Sequence, residues 1–270
     1  MIKYLERVIS LNNLKLEISA ITNKGNGRKH NEDNFFLNDF FLSFSQADKG
    51  ASMSKKLCSP VVAGVCDGMG GEKAGEEASL LVVSSLFKCI SKRKASEDSE
   101  KIRESIKEIN GKVCETIPGS GATLAMVYAN SKKITAASIG DSRIYLYSHG
   151  KLKQLTTDHT LAQMQVESGL MDREQAKNSK LRHVLTQHIG IPPEEMVIEP
   201  DVFEIEPVSD GDIVIVCSDG LTDAVDEIKI KDILSEYPCT ASATEQLVNC
   251  ALDNSGKDNM TVMAIKVNKE

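Results

Sequence analysis

The chain has 270 residues, 41% of them apolar and 26% charged, with a formal net charge of −7. That length accommodates one large domain or two small ones, with a core that needs neither disulfides nor a structural metal. The acidic balance argues against a broad nucleic-acid or anionic-membrane surface, and the apolar runs fall short of the roughly 20 residues that span a bilayer.

The N-terminus alternates charged and aliphatic residues without a signal-like apolar segment, so a cytoplasmic protein is expected. Residues 38–60 are irregular and read as a long loop. Apolar, strand-like runs then occur at 61–66, 123–128, 134–139, 143–147, 213–217 and 261–267. Helical patterns fill 75–92, 100–115 and 242–253; in the second, Ile102, Ile106, Ile109 and Val113 recur at helical spacing and mark one apolar face. The basic run Lys92-Arg93-Lys94 is offset by Glu97 and Asp98 and reads as a solvated loop. The short link at 130–133, the alternation at 143–147 and the turn at His149-Gly150 indicate antiparallel hairpins. Residues 157–187 form a polar flap with two short helical pieces, 161–168 and 173–178.

Strands follow one another with a few long helices, without the β-α-β alternation of a parallel sheet. This pattern predicts an α+β layered fold, and with no repeat or linker it predicts one domain. Seven cysteines, an odd number without a Cys-x-x-Cys pair, lie mostly in apolar stretches (Cys66, Cys89 and Cys217 among them) and read as reduced thiols.

Five acidic segments share a layout in which a carboxylate ends an apolar run and is followed closely by Gly or Asn. They are Asn31-Glu32-Asp33-Asn34, Asp67-Gly68-Met69-Gly70-Gly71, Gly140-Asp141-Ser142, Ser218-Asp219-Gly220 and Asp258-Asn259. Each alone is more often a turn than a ligand. Together they are five carboxylates at strand ends, a repulsive group unless a hard cation such as Mg²⁺ or Mn²⁺ neutralises it.

With Arg28 and Gly121-Ala122-Thr123 added, this ordered series resembles the motifs of the type 2C (PPM) metal-dependent protein phosphatases, in their bacterial branch. The resemblance runs from about residue 18 to the C-terminus and frames one domain over 15–270. It implies a four-layer α-β-β-α sandwich of two antiparallel sheets and hydrolysis of phosphoserine and phosphothreonine in proteins. It implies two Mg²⁺ or Mn²⁺ ions, bridged by Asp67, with the Gly68 carbonyl on one of them; Asp33 would bind one ion, directly or through water, and Asp219 and Asp258 the other. Asp141 with Asp219 matches a third, weaker site, and Arg28 would hold the substrate phosphate in its planar fork. A hydroxide shared by two ions would attack phosphorus directly, without a phosphoenzyme. Phosphoproteins are the implied partners, with a cognate Ser/Thr kinase acting on the same targets; neither nucleic acid nor membrane is expected, and the chain reads as a monomer.

Met69 stands where eukaryotic members carry a histidine that serves as general acid, and a thioether donates no proton. Leaving-group protonation then falls to water on the Asp141 ion. Asp141→Ala is therefore expected to slow phosphoserine-peptide hydrolysis more than that of activated aryl phosphates, whose leaving group needs no proton. Equal losses would overturn this.

Rival chemistries lack their marks. No cysteine begins a Cys-x₅-Arg motif, and there is no P-loop or Gly-x-Ser-x-Gly elbow; Gly25-x-Gly27 lacks a third glycine. Asp210-x-Asp212 precedes its strand instead of following one and reads as a strand-entry turn. His159, in Thr157-Asp158-His159 at the base of the flap, reads as structural. A pseudophosphatase module and a small-molecule phosphoesterase are the alternatives, the first disfavoured by the complete set of aspartates and Arg28.

Overall fold

A computed structural model describes residues 14–58, 60–70, 74–93 and 97–269; Lys94 and Gly71, each part of a motif above, lie outside them. The chain opens with β1 (Leu14–Asn23), β2 (Asp33–Leu37), β3 (Phe40–Phe41), α1 (Phe44–Asp48), β4 (Ala51–Cys58) and β5 (Val61–Met69). Two long helices follow, α2 (Ala74–Lys92) and α3 (Asp98–Thr116), then β6 (Gly121–Ala122), β7 (Leu124–Ala129), β8 (Ile134–Ile139), β9 (Arg143–Ser148) and β10 (Lys151–Gln154). The flap carries α4 (Leu161–Glu167), α5 (Arg173–Asn178) and a 3-10 turn, Lys180–His183. The chain returns through β11 (Asp201–Glu204), β12 (Ile213–Cys217), α6 (Asp219–Ala224), α7 (Glu227–Glu236), α8 (Thr240–Asn254) and β13 (Met260–Lys269).

The strands build two antiparallel sheets. One runs β10-β9-β12-β13-β1-β4; the other runs β11-β8-β7-β5-β2-β3, with β6 paired to β5. Their central strands are buried on both faces, which is why they read as unbroken apolar runs. In β12, Val214 and Val216 point into the core between the sheets, while Ile213, Ile215 and Cys217 pack under α7 and α8. In β5, Val61, Ala63 and Val65 face the same inter-sheet core, while Val62 and Cys66 meet α2 and α3. The face predicted for α3 (Ile102, Ile106, Ile109 and Val113) is fully buried there. At about 1.5–3 kcal/mol for each large aliphatic side chain withdrawn from water, these three apolar clusters drive the stacking into α-β-β-α layers. Among the described residues no helix is long and apolar enough to cross a membrane.

The long loop expected at 38–60 is corrected. It contains α1 and β4, and β4 pairs with β1 from Lys15↔Cys58 to Thr22↔Ala51. β4 is an edge strand, and its polar sequence (Ser52, Ser54, Lys55) suits an exposed edge while hiding it from an apolar-run search. Asp212 behaves as a strand-entry residue: its carboxylate accepts from the Ser209 amide at 2.6 Å, and its carbonyl accepts from the Val267 amide at 2.9 Å.

Candidate metal and phosphate site

β2 and β5 pair in a register that sets Asp33 directly opposite Asp67, so the two side chains share one sheet face. Asp141 follows β8 after Gly140, which has a φ of +100°. Asp219 opens α6 beyond β12, and Asp258 immediately precedes the strand-start of β13 by two residues. Both sheets thus deliver carboxylates to one cleft of about 880 Å³, whose walls include Arg28, Asp67, Asp141, Asp219, Asp223 and Asp258. Asp33 is set deeper and is only 1% exposed.

The uniform layout predicted for the five carboxylates is corrected. Asp141 and Asp219 do follow their strands, but Asp33 opens β2, Asp258 precedes β13, and Asp67 lies inside β5. Gly68 is likewise no turn residue. It continues β5, pairs with Ala122, and donates its amide to the Glu32 carbonyl at 3.1 Å.

The electrostatics match a group built around positive charge. Burial, and then the charges of Asp219 and Asp258, push Asp33 up to about 7, against hydrogen bonds from Ser218 and Thr261 that pull it down. Asp67 is raised well above the usual carboxylate range by burial, then by Asp33, Asp219, Asp141 and Asp258. Asp141 reaches about 8 through burial and then Asp219 and Asp158. Asp33 Oδ1 is buried without any hydrogen-bond partner, an arrangement that costs about 1–3 kcal/mol or more for a charged group left unpaired. The donors are all oxygen, the set that hard divalent cations prefer. These residues fit a divalent-metal group.

Other contacts hold the ligands in place. Thr123 brackets Asp67: its hydroxyl accepts from the Asp67 amide at 3.1 Å, and its amide donates to the Asp67 carbonyl at 2.8 Å. The same hydroxyl meets the Ser142 hydroxyl at 2.7 Å, linking Asp67 to the Asp141 turn and explaining the Gly121-Ala122-Thr123 motif. Arg28 lies on the cleft wall as expected, but its guanidinium is engaged bidentately by Asp258, at 2.8 Å from each nitrogen used. Asn259 gathers the loop that carries Arg28: its Nδ2 donates to the carbonyls of Lys24 and His30, each at 2.9 Å, and its Oδ1 accepts from the Glu32 amide at 2.8 Å.

The flap closes onto α6. Arg182 Nη1 lies 3.0 Å from Asp223 Oδ1, and His183 stands 3.7 Å from both Asp219 Oδ2 and Asp223 Oδ2. At the flap base, His159 Nδ1 accepts from the Gly140 amide at 3.2 Å, so Nε2 carries the proton and donates to Asp201 Oδ2 at 3.2 Å. Beside it, Asp158 chelates the Arg143 guanidinium, with contacts of 2.6–3.0 Å. Asn259 was read only as part of the Asp258-Asn259 motif; Asp223, Arg182 and His183 were not singled out from sequence. Only Asp223 carried a local signal: it lies one helical turn after Asp219, on the same face of α6.

The Protein phosphatase 2C family profile matches residues 26–260. The serine/threonine phosphatase Stp of Listeria welshimeri is 31% identical over 257 residues, covering 92% of this chain and 94% of its own. The solved serine/threonine phosphatase of S. agalactiae has a TM-score of 0.78 at 29% identity, over 93% of this chain and 99% of its own. A solved catalytic domain of the serine/threonine protein phosphatase PstP, in complex with two manganese ions, gives a TM-score of 0.73 at 27% identity over 95% and 100% of the two chains.

Proposed function

The chain belongs to the protein phosphatase 2C family; it is a metal-dependent protein serine/threonine phosphatase, and we propose that Asp33, Asp67, Asp219, Asp258 and the Gly68 carbonyl hold its two metal ions. One observation carries the ligand assignment. Carboxylates from both sheets converge on a single cleft, the affinity of Asp33, Asp67 and Asp141 for protons is raised, and the most buried of them, Asp33, keeps one oxygen unpartnered. Asp141 with Asp219 is the place for a third, weaker ion. Two Mg²⁺ or Mn²⁺ ions, when bound, neutralise this cluster, activate water as the nucleophile and withdraw charge from the phosphoryl group.

The chain's own groups do the rest. Arg28 receives the substrate phosphate by exchanging one planar acceptor, the Asp258 carboxylate, for another. Its side chain is 50% exposed, so the exchange strands no buried charge. Asn259 keeps the Arg28 loop registered against β13 throughout, because its three bonds go to backbone atoms and do not involve the arginine. Met69 lines the cleft without a proton to give. Arg182 and His183 on the flap stand over the same cleft edge as Asp219 and Asp223, where the polypeptide flanking a phosphorylated residue would pass.

On the same reading, residues 15–270 act as one domain with a flap at about 157–187, and the protein works as a cytoplasmic monomer. Its substrates are proteins phosphorylated by a cognate Ser/Thr kinase. The test is hydrolysis of p-nitrophenyl phosphate and of a phosphothreonine peptide, with and without Mn²⁺, in the wild type and in Asp219→Ala. Turnover is expected to require Mn²⁺ and to fall by about 10²-fold or more in the variant, the scale for removing one group that stabilises transition-state charge. Metal-independent turnover, or full activity in Asp219→Ala, would sink the assignment. A strong preference for the aryl phosphate with no peptide turnover would favour a small-molecule phosphoesterase.

A further inference from the structure

Beneath the cleft, where β1 and β13 meet the start of β2, five buried polar residues form a closed ring of hydrogen bonds. The Asp33 amide donates to Asn31 Oδ1 at 3.2 Å, and Asn31 Nδ2 donates to Thr22 Oγ1 at 2.9 Å. Thr22 Oγ1 and Thr261 Oγ1 are 2.7 Å apart, across the directly opposed pair Thr22↔Thr261 of β1 and β13. The Thr261 amide donates to Ser218 Oγ at 2.9 Å, and the Ser218 hydroxyl returns to Asp33 Oδ2 at 2.7 Å. All five side chains are at most 3% exposed.

Four of the five bonds have a fixed direction, because an amide nitrogen donates and a carboxylate accepts. Asn31 is oriented by two backbone partners: its Oδ1 accepts from the Asp33 amide, and its Nδ2 also donates to the Ala47 carbonyl at 2.8 Å. The amide of Asn31 is therefore a donor toward Thr22. At the other end, the Ser218 hydroxyl donates to the Asp33 carboxylate, which accepts only, and is itself held by the Thr261 amide. Thr22 accepts from Asn31 and pairs with the Thr261 hydroxyl, so it ties the Asn31 side of the ring to the Thr261 side. The ring closes on Asp33 from both sides, through Asn31 at its amide and through Ser218 at its carboxylate, and neighbouring bonds strengthen one another. Of that carboxylate, Oδ2 is taken by Ser218 and Oδ1 has no partner at all.

We infer that this ring, which reaches the carboxylate through Ser218, fixes the rotation of the Asp33 side chain so that Oδ1 alone remains for a cation, making Thr22 a positioning residue for the metal site. The inference rests on Asp33 being a ligand, as proposed above. Thr22 itself sits in β1 and reaches Asp33 only through Asn31 and Thr261, so it contributes no ligand atom.

The test compares Thr22→Val, which keeps the shape and deletes the hydroxyl, with Thr22→Ser, which keeps the hydroxyl, and with Asp33→Asn. Mn²⁺ binding is measured by isothermal titration calorimetry on the full chain, and kcat and half-saturating Mn²⁺ are measured in parallel. Groups that orient metal ligands typically change affinity by about 10–100-fold. Thr22→Val should therefore bind Mn²⁺ about 10-fold or more weakly, with kcat at saturating Mn²⁺ within about threefold of wild type and Thr22→Ser restoring the affinity. Should Thr22→Val not fold, Thr261→Val removes the next hydroxyl and is expected to behave in the same way. Wild-type affinity in the valine variant overturns the inference, as does equal weakening in Thr22→Ser, or a fall in kcat with affinity unchanged. Weakened binding in Asp33→Asn with wild-type affinity in Thr22→Val removes the ring's role alone. Wild-type affinity in Asp33→Asn removes the ligand assignment, and the inference with it.

Discussion

Asp67→Asn is expected to cut turnover by roughly 10³-fold or more while raising the melting temperature of the metal-free protein by several degrees. The first effect follows from losing the carboxylate placed to bridge the metal ions; a metal's electrostatic contribution is several kcal/mol, and about 4 kcal/mol corresponds to 10³ in rate. The second follows from the raised proton affinity of the cluster. Asp67 is pushed well above its usual range by burial and by Asp33, Asp219, Asp141 and Asp258, so its charge opposes folding. Asn keeps the shape and removes the charge. In a chain of this size about 1 kcal/mol moves the melting temperature by roughly 2–4 °C, so relief of even part of the repulsion is measurable.

The sign of the pH dependence is fixed by the same shifts. An Asp whose folded pKa exceeds its unfolded value of about 3.9 costs no stability below that value. The cost grows as pH rises and is complete above the folded pKa, about 7 for Asp33 and about 8 for Asp141. Metal-free wild type should therefore melt higher at pH 6 than at pH 8, and Asp67→Asn should narrow that gap. Differential scanning calorimetry in EDTA at both pH values, beside p-nitrophenyl phosphate kinetics in Mn²⁺, tests both halves. An active variant would remove Asp67 from the metal site. An inactive variant no more stable than wild type in EDTA would remove the repulsion. Together the two effects describe a site that holds its charges at the expense of the fold, as functional sites commonly do.

How far the sequence carried depended on whether the signal was local. The runs at 134–139 and 213–217 match β8 and β12 to the residue, because strands buried on both faces are mostly apolar: β12 is apolar throughout, and in β8 only Thr135 and Ser138 are polar. β4 escaped because an edge strand needs only its backbone partners, and α7 because exposed Ile228 and its charged neighbours blur the helical stripe. The aspartates were legible as an ordered set of acidic turns. Their supports were not. Thr22 and Thr261 are 239 positions apart, and Ser218 and Asp33 are 185 apart; nothing near either residue marks it as a partner of the other. Arg28 was recognisable by type, but its present pairing with Asp258 appears only once β13 brings residue 258 beside it. Ligand identity was written in short motifs, whereas ligand orientation was written in pairings that only the assembled sheets create.

Gly68→Ala should disable the protein through the backbone instead of through charge. A Cβ at Gly68 would fall well inside the van der Waals envelope of the Gly75 carbonyl oxygen, at the first turn of α2, and 2.8 Å from the Glu32 carbonyl oxygen. Both obstacles are main chain, so no side chain can swing aside. Either α2 lifts from β5, which breaks the apolar contacts of Ala78, Val82 and Leu86 with that sheet, or β5 shifts against β2. The second movement slides Asp67 past Asp33, since they face each other in the register that Gly68 continues. Overpacking of this kind costs about 1–3 kcal/mol, and a misplacement near 1 Å in a reacting centre costs about 10² in rate. The variant is thus expected to melt roughly 3–10 °C lower and to lose about 10²-fold or more in kcat even at saturating Mn²⁺. Gly111→Ala provides the contrast: it lies within α3 with open space around its Cβ position, and the better helix former should add about 0.5–1 kcal/mol with no change in rate. If Gly68→Ala matched Gly111→Ala in stability and turnover, the close approach of α2 to β5 would not be what holds Asp67 in place.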